Sequence, residues 1–341
     1  MTDTATTGSA SAPSHPTAVA AEPSLEHVPV TLFASVMGLG GLSLAWRRAG
    51  TVWGLPQWPA LTLLALAALT FVVVAALYTA TWVRHPAAAR AELRHPMRMT
   101  FAPTLTISLL VLATAGQDVA PGVASALWWV GAVGHLGATV AVLNAWFSRP
   151  DIGPAAVTPA WFIPVVGNVL TPLAAARLGS VELAWFSFGV GVVFWLGLLP
   201  LLLHRVLLHD PPLPARLLPT IAIFIAPPAV AMLSWQALTG VADGPVVRVL
   251  FAAAMIFVVL LAAQLPRLRS LPFALTAWAY TFALAAASGA ALSMADARPQ
   301  AGYDVVALLM LAGTTALLLL VGAFTVRVAV RRQICVPEKA A

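Results

Sequence analysis

Charge is what this 341-residue chain has least of. Asp, Glu, Lys and Arg together make up 9% of it, against 60% hydrophobic residues, where soluble domains carry roughly a quarter charged residues. An ordinary water-soluble globule is excluded. Cysteine is almost missing too: Cys335 stands alone, so no intrachain disulfide can form and redox chemistry has no second thiol. There is also no Cys/His metal spacing, no glycine-rich phosphate loop after a strand, no H-E-x-x-H and no carboxylate pair within the apolar runs. The chain is therefore expected not to be an enzyme and to need no cofactor. The stretch "RHPAAARAELRHP" (84–96) holds His85 and His95, but it reads as a solvated basic loop rather than a ligand set. The net charge of +6 does not point to nucleic acid either, because the basic residues sit in short loops between apolar spans instead of on one soluble face.

What the chain does have is apolar runs near the length that crosses a hydrocarbon core of roughly 30 Å as a helix. A lipid-exposed backbone must satisfy its own hydrogen bonds, so repeated runs of this length predict an all-α integral membrane bundle and not a barrel. Ten spans can be drawn, near 29–46, 58–82, 101–117, 122–147, 158–176, 183–204, 217–238, 245–265, 273–294 and 303–326. Residues 1–24, rich in Thr, Ser, Ala and Pro, are expected to form a disordered cytoplasmic tail. They lack the charged n-region and apolar core of a secretory signal, so the first span is expected to be retained. Residues 25–328 form the membrane domain, and 329–341 a basic cytoplasmic tail.

The weakest span is the fifth, "VTPAWFIPVVGNVLTPLAA" (157–175), with Pro159, Pro164, Pro172, Gly167 and Asn168 in one apolar stretch. Arginine placement tests it, because cytoplasmic loops carry excess Lys and Arg. With ten spans, 13 Lys and Arg fall on the side of the termini and five (Arg47, Arg48, Arg177, Arg248 and Arg298) on the other. Without the fifth span the split is 8 against 10 and the bias vanishes. The segment is thus expected to cross, with both termini cytoplasmic.

Odd and even spans differ in kind. Interior prolines fall mainly on odd members: Pro103, then Pro159, Pro164 and Pro172, then Pro219, Pro227 and Pro228. The first span has Gly38, Gly40 and Gly41 instead. A proline inside a helix removes a donor and exposes a carbonyl, which costs several kcal/mol in lipid. Bent helices should therefore face protein or a water-filled cavity. The expected arrangement is five consecutive helical hairpins, with five inner odd helices around a central pore and five outer even helices. Gly38, Gly41, Pro103, Pro164, Gly167, Asn168 and Pro227 are the expected pore-lining or helix-kink residues. Close helix packing explains any one of these small residues equally well.

No Asp, Glu, Lys or Arg lies near the middle of a span, which argues against proton or sodium coupling. His135, on an even span, reads as a packing residue, while Asn144, Asn168 and Gln236 are hydrogen-bonding amides that also serve as interhelical glue. A pore without fixed charge must hold its ion with dipoles, and helix N-termini favour anions. The excess of Arg at the cytoplasmic mouth adds to this. A gated anion channel or uniporter for small anions of the chloride or nitrate type is the expectation.

"RHPMRMTFAPTL", "VTPAWFIPVVGNVLTPLAA", "LPTIAIFIAPPAVAMLSW" and "FALTAWAYTFALAA" resemble the tellurite-resistance/dicarboxylate transporter family, typified by bacterial TehA and including plant slow-type anion channels. The resemblance runs from about 29 to 327. It implies ten helices in five hairpins, a central pore in each subunit of a homotrimer, and an occluding phenylalanine on the ninth helix. On this sequence that residue is Phe282, with Phe273 and Tyr280 as rivals. Many relatives have proline after this aromatic, where Ala283 stands here, and Ala277 replaces a frequent tryptophan. The family also implies a second activity, tellurite resistance or C4-dicarboxylate (malate-type) transport, and a place in the cell membrane among lipid.

Overall fold

The structure, a computed structural model, describes residues 24–208, 210 and 212–336. The expected disordered tail, apart from Ser24, and the last five residues lie outside the described residues. Among these, ten helices are long and apolar enough to cross a membrane: α1 (Val30–Trp53), α2 (Trp58–Arg84), α3 (Arg98–Gly116), α4 (Pro121–Ser148), α5 (Pro159–Leu178), α6 (Val181–Leu208), α7 (Ala215–Thr239), α8 (Pro245–Ala263), α9 (Leu275–Ala297) and α10 (Ala301–Val330). The chain is an all-α, multi-pass membrane protein, and the proline-rich fifth segment is one of its spans.

Helices α2, α4 and α8 each start with proline in the first turn, where a missing N–H costs nothing and the fixed φ suits the helix. They continue as regular α-helix. Each odd helix instead opens in 3₁₀ form, at Val30–Leu32, Arg98–Phe101, Pro159–Trp161, Ala215–Ile225 and Leu275–Ala277. In α5 a second 3₁₀ stretch, Gly167–Ala174, follows Pro164 and contains Pro172. In α7 the 3₁₀ form persists past Pro219, and regular helix begins only at Ala226. Such runs exceed the usual three or four residues, so packing must hold them.

Burial confirms which helices are packed. In the apolar core of each odd helix 50–83% of residues are buried, against 11–33% in the even ones. Sequence neighbours pair as five hairpins, and the odd helices close a ring: α1 packs on α3, α3 on α5, α5 on α7, α7 on α9, and α9 on α1. The division is not absolute, since Pro200 lies inside outer helix α6 on its exposed side.

The two ends of the described chain meet: Ser24 N donates to Cys335 O at 2.9 Å. This defines a terminal face and a far face. The stretch expected as a solvated loop is on the terminal face, where Pro86–Arg94 is a short helix with Ala89 buried. Pro86 in its first turn and the alanines after it favour helix over loop. Its Glu92 accepts from Val30 N (3.0 Å) and Tyr78 Oη (3.2 Å), fixing the start of α1. Arg205, expected just past the sixth span, lies within the last turns of α6 and is buried. On the far face every one of the five arginines lies near a carboxylate: Arg47 and Arg177 at Asp118, Arg48 at Asp296, Arg248 and Arg298 at Asp243.

Candidate conduction pathway

Two cavities lie on the axis of the inner ring. The one toward the terminal face, about 80 Å³, is walled by all five inner helices, among them Met37, Ile107, Gly167, Pro227 and Phe282. The one toward the far face, about 410 Å³, is again walled by all five, including Gly41, Val111, Leu173, Leu233 and Ala286. Leu170, Val230 and Phe282 line both. These three side chains are therefore the partition between the cavities.

The two walls differ in polarity, the terminal-side one being almost wholly apolar. Among the described residues the terminal-side cavity has three threonines, Thr31, Thr104 and Thr276, and no ionisable group. The hydroxyls of Thr104 and Thr276 donate to the carbonyls of Phe101 (2.6 Å) and Arg216 (2.5 Å), so they are already engaged in holding the 3₁₀ entries together. On the far side one cation, Arg48, reaches the wall. Its Nη2 donates to Ser293 Oγ (3.3 Å) and Asp296 Oδ2 (3.0 Å). Ser293 Oγ in turn donates to Gln236 Oε1 (2.8 Å), and Gln236 Nε2 to Ala242 O (2.7 Å).

The residues singled out from sequence divide between wall and support. Phe282 stands in the partition, one turn into the regular part of α9. Gly41 lines the far cavity, and Gly167 and Pro227 line the terminal-side one. Gly38, Pro103, Pro164 and Asn168 line neither. Gly38 lets α1 approach α9, since a Cβ there would fall 2.0 Å from Thr281 Oγ1. Pro103 sits at the start of the regular part of α3. Of the rival aromatics, Phe273 stacks on Phe324 (5.6 Å between centroids) and Tyr280 packs into the apolar core, both away from the cavities.

Asn168 and Pro164 explain how α5 keeps its breaks. Thr139 Oγ1 from α4 donates to the carbonyl of Pro164 itself at 2.6 Å, just before the change from α to 3₁₀ form. Asn168 Nδ2 donates to that same Thr139 Oγ1 (2.8 Å) and to Val165 O (2.9 Å). Further along, Trp128 Nε1 donates to Thr171 O (2.9 Å), and Ser234 Oγ of α7 to Val169 O. Side chains of the neighbouring helices thus satisfy the carbonyls that a broken helix would leave orphaned. The amide faces α4 rather than the axis. His135 lies in the same seam, fully buried, with Nδ1 2.8 Å from Thr106 Oγ1.

Sequence reasoning missed Leu170, Val230 and the Arg48–Ser293–Gln236 chain. The first two carry no signal, being apolar residues on apolar helices. Arg48 could have been found as a cation one helical turn inside the end of an inner span.

Residues 27–326 match the SLAC1 family model, described as voltage-dependent anion channel. An uncharacterized transporter of Methanocaldococcus jannaschii is 28% identical over 57% of this chain and 60% of its own length. The S-type anion channel SLAH2 of Arabidopsis thaliana is 26% identical over 80% of this chain and 54% of its own length. A tellurite resistance protein TehA homolog of Haemophilus influenzae is 22% identical, covering 82% of this chain and 85% of its own length. The chain thus spans less than two thirds of the first two relatives. A ring of bent inner helices inside straight outer ones, matched to one family model across nearly the whole membrane region, leaves a single assignment: the chain belongs to the SLAC1 family.

Proposed function

We propose that the chain is a gated anion channel or uniporter that passes small anions of the chloride or nitrate type along the ring axis, with Phe282 closing it. The observation that carries this reading is the pair of cavities meeting at Phe282, Leu170 and Val230, with no acidic residue on either wall among the described residues. A phenyl ring at an apolar constriction blocks ions by excluding water, and its rotation opens the path. Selectivity for anions follows from dipoles. All five inner helices point their N-termini to the terminal face, and the regular helices of α7 and α9 begin at Ala226 and Trp278, both on the wall of the terminal-side cavity. Their positive ends favour a negative ion there.

The same reading puts the protein in the cell membrane with both termini cytoplasmic, on the arginine bias of the terminal face. A homotrimer surrounded by lipid is carried over from the family resemblance. The test is conductance of the reconstituted protein: Phe282→Ala is expected to give large chloride or nitrate currents where the parent is nearly silent. Silence of a folded, inserted Phe282→Ala protein overturns the gate.

A tellurite-resistance or C4-dicarboxylate transporter is the second reading, favoured by the similarity to the TehA homolog over most of both chains. It predicts saturable uptake and exchange of malate or tellurite in liposomes. Among the described residues the cavities offer one cation, Arg48 at the far mouth, where a dicarboxylate would require two.

A further inference from the structure

The far cavity carries a polar arrangement that the gate does not use. Its wall includes Arg48, Gln236 and Ser293, on α1, α7 and α9, in a passage otherwise lined almost entirely by apolar side chains. The direction of the hydrogen bonds is fixed by chemistry, since a guanidinium can only donate. Arg48 donates to Ser293, Ser293 must then donate onward to Gln236 Oε1, and the Gln236 amide donates to the Ala242 carbonyl. Both side-chain acceptors, Ser293 Oγ and Gln236 Oε1, are thereby covered. What remains for a ligand is donors: Nε and Nη1 of Arg48, which have no protein acceptor among the described residues, and the second N–H of Gln236 Nε2.

We propose that this cluster is an anion-capture site at the far mouth, which holds a small monovalent inorganic anion before it reaches Phe282. Asp296 is its built-in competitor. Its carboxylate pairs with Arg48 at 3.0 Å without lining the cavity, so an arriving anion shares the guanidinium with it and is bound loosely enough to leave toward the partition. The other four far-face arginines are paired with Asp118 or Asp243 and do not line the cavity. Arg48 is therefore the positive focus of that mouth. The proposal rests on the anion-channel reading, and the site is distinct from the gate.

The experiment uses reconstituted full-length protein carrying Phe282→Ala, with chloride titrated separately on each face at constant ionic strength. Adding Arg48→Gln is expected to raise the half-saturating chloride on the far side about threefold, the scale of a partly exposed charge, and to leave the terminal side unchanged. Asp296→Asn is expected to lower the far-side value. Unchanged far-side values in both variants overturn the capture site while leaving the gate standing. A second arm needs no conduction: the protein with iodide is expected to show iodide anomalous density beside Arg48 and Gln236, lost in Arg48→Gln. If Phe282→Ala passes no anion, the channel reading fails, and the iodide density alone then decides the site, its absence overturning it.

Discussion

The ring of Phe282 rests on Gly41: a Cβ added to the glycine would stand 3.2 Å from Phe282 Cδ2 and 3.2 Å from Ala285 Cβ. The position of the aromatic is thus set by a missing side chain on the facing helix, and under the proposed gating this is the closed position. Gly41→Ala adds a methyl to a contact that is already tight, at a cost of about 1 kcal/mol while the ring stays where it is. Ala285 is part of a packed helix face and yields less easily than a phenyl ring free to turn into a cavity. Gly41→Ala is therefore expected to leak, with a chloride conductance above that of the parent and below that of Phe282→Ala. Single-channel or liposome flux measurements would check it, and a conductance equal to the parent's would show that the ring does not lean on α1.

Leu170 and Val230 share the partition with Phe282, so under the proposed gating closure belongs to three side chains. Leu170→Ala removes the largest aliphatic group opposite the ring and widens an apolar constriction that holds back water. The expected outcome is a measurable chloride current with Phe282 intact, at a stability cost near the low end of the roughly 2–5 kcal/mol for such truncations, because cavities already flank the site. No current from folded Leu170→Ala or Val230→Ala would assign closure to the phenyl ring alone.

The ring of inner helices was legible in the sequence because several prolines within one membrane helix call for protein neighbours that satisfy the freed carbonyls, whereas the lone Pro200 of outer α6 does not. Pro164 and Pro227 mark the inner helices for that reason. The ninth helix has no interior proline, and its inner place shows instead as the run of small residues from Ala283 to Ala291, which lets α1 and α9 pack closely. Side-chain direction was less legible. Asn168 follows directly on Gly167, where α5 changes from α to 3₁₀ form, and the altered pitch turns the amide toward α4. For Leu170 and Val230 the identity of the residue says nothing; only the crossing of five helices makes them a partition. The single phenylalanine reached from family resemblance, Phe282, is accompanied by partners that no motif announces.

On the far face, Asp118 accepts from both Arg177 and Arg47, tying α1, the α3–α4 turn and the end of α5 together. The hydrogen bond from Arg177 holds this carboxyl below the usual carboxylate range, with the charges of Arg177 and Arg47 adding to it against a smaller opposing effect of burial. A depressed folded-state pKa means a stabilising contribution that is complete above the unfolded value, roughly 4, and is lost as the pH falls through the folded one. Asp118→Asn is thus expected to melt slightly lower than the parent at pH 7 in detergent, with the gap closing as the pH drops below that value. A gap as wide at pH 3 as at pH 7 would mean the residue acts through something other than its charge.

Gly167 and His135 meet in the seam between α5 and α4. A Cβ on Gly167 would fall 2.5 Å from His135 Nε2, 2.7 Å from its Cε1 and 2.7 Å from Ile107 Cδ1. His135 is fully buried and held through Nδ1 by Thr106, so it has little room to retreat. Gly167→Ala is expected to destabilise the protein by about 1–3 kcal/mol, the range for overpacking a close-packed site. His135→Ala removes the obstructing imidazole at its own cost. Because the two residues collide directly, the double variant is expected to be more stable than the sum of the single losses predicts, by about 1 kcal/mol or more. Thermal unfolding of the four proteins gives this coupling. Strict additivity would show that Ile107, or a shift of the 3₁₀ stretch itself, absorbs the added methyl.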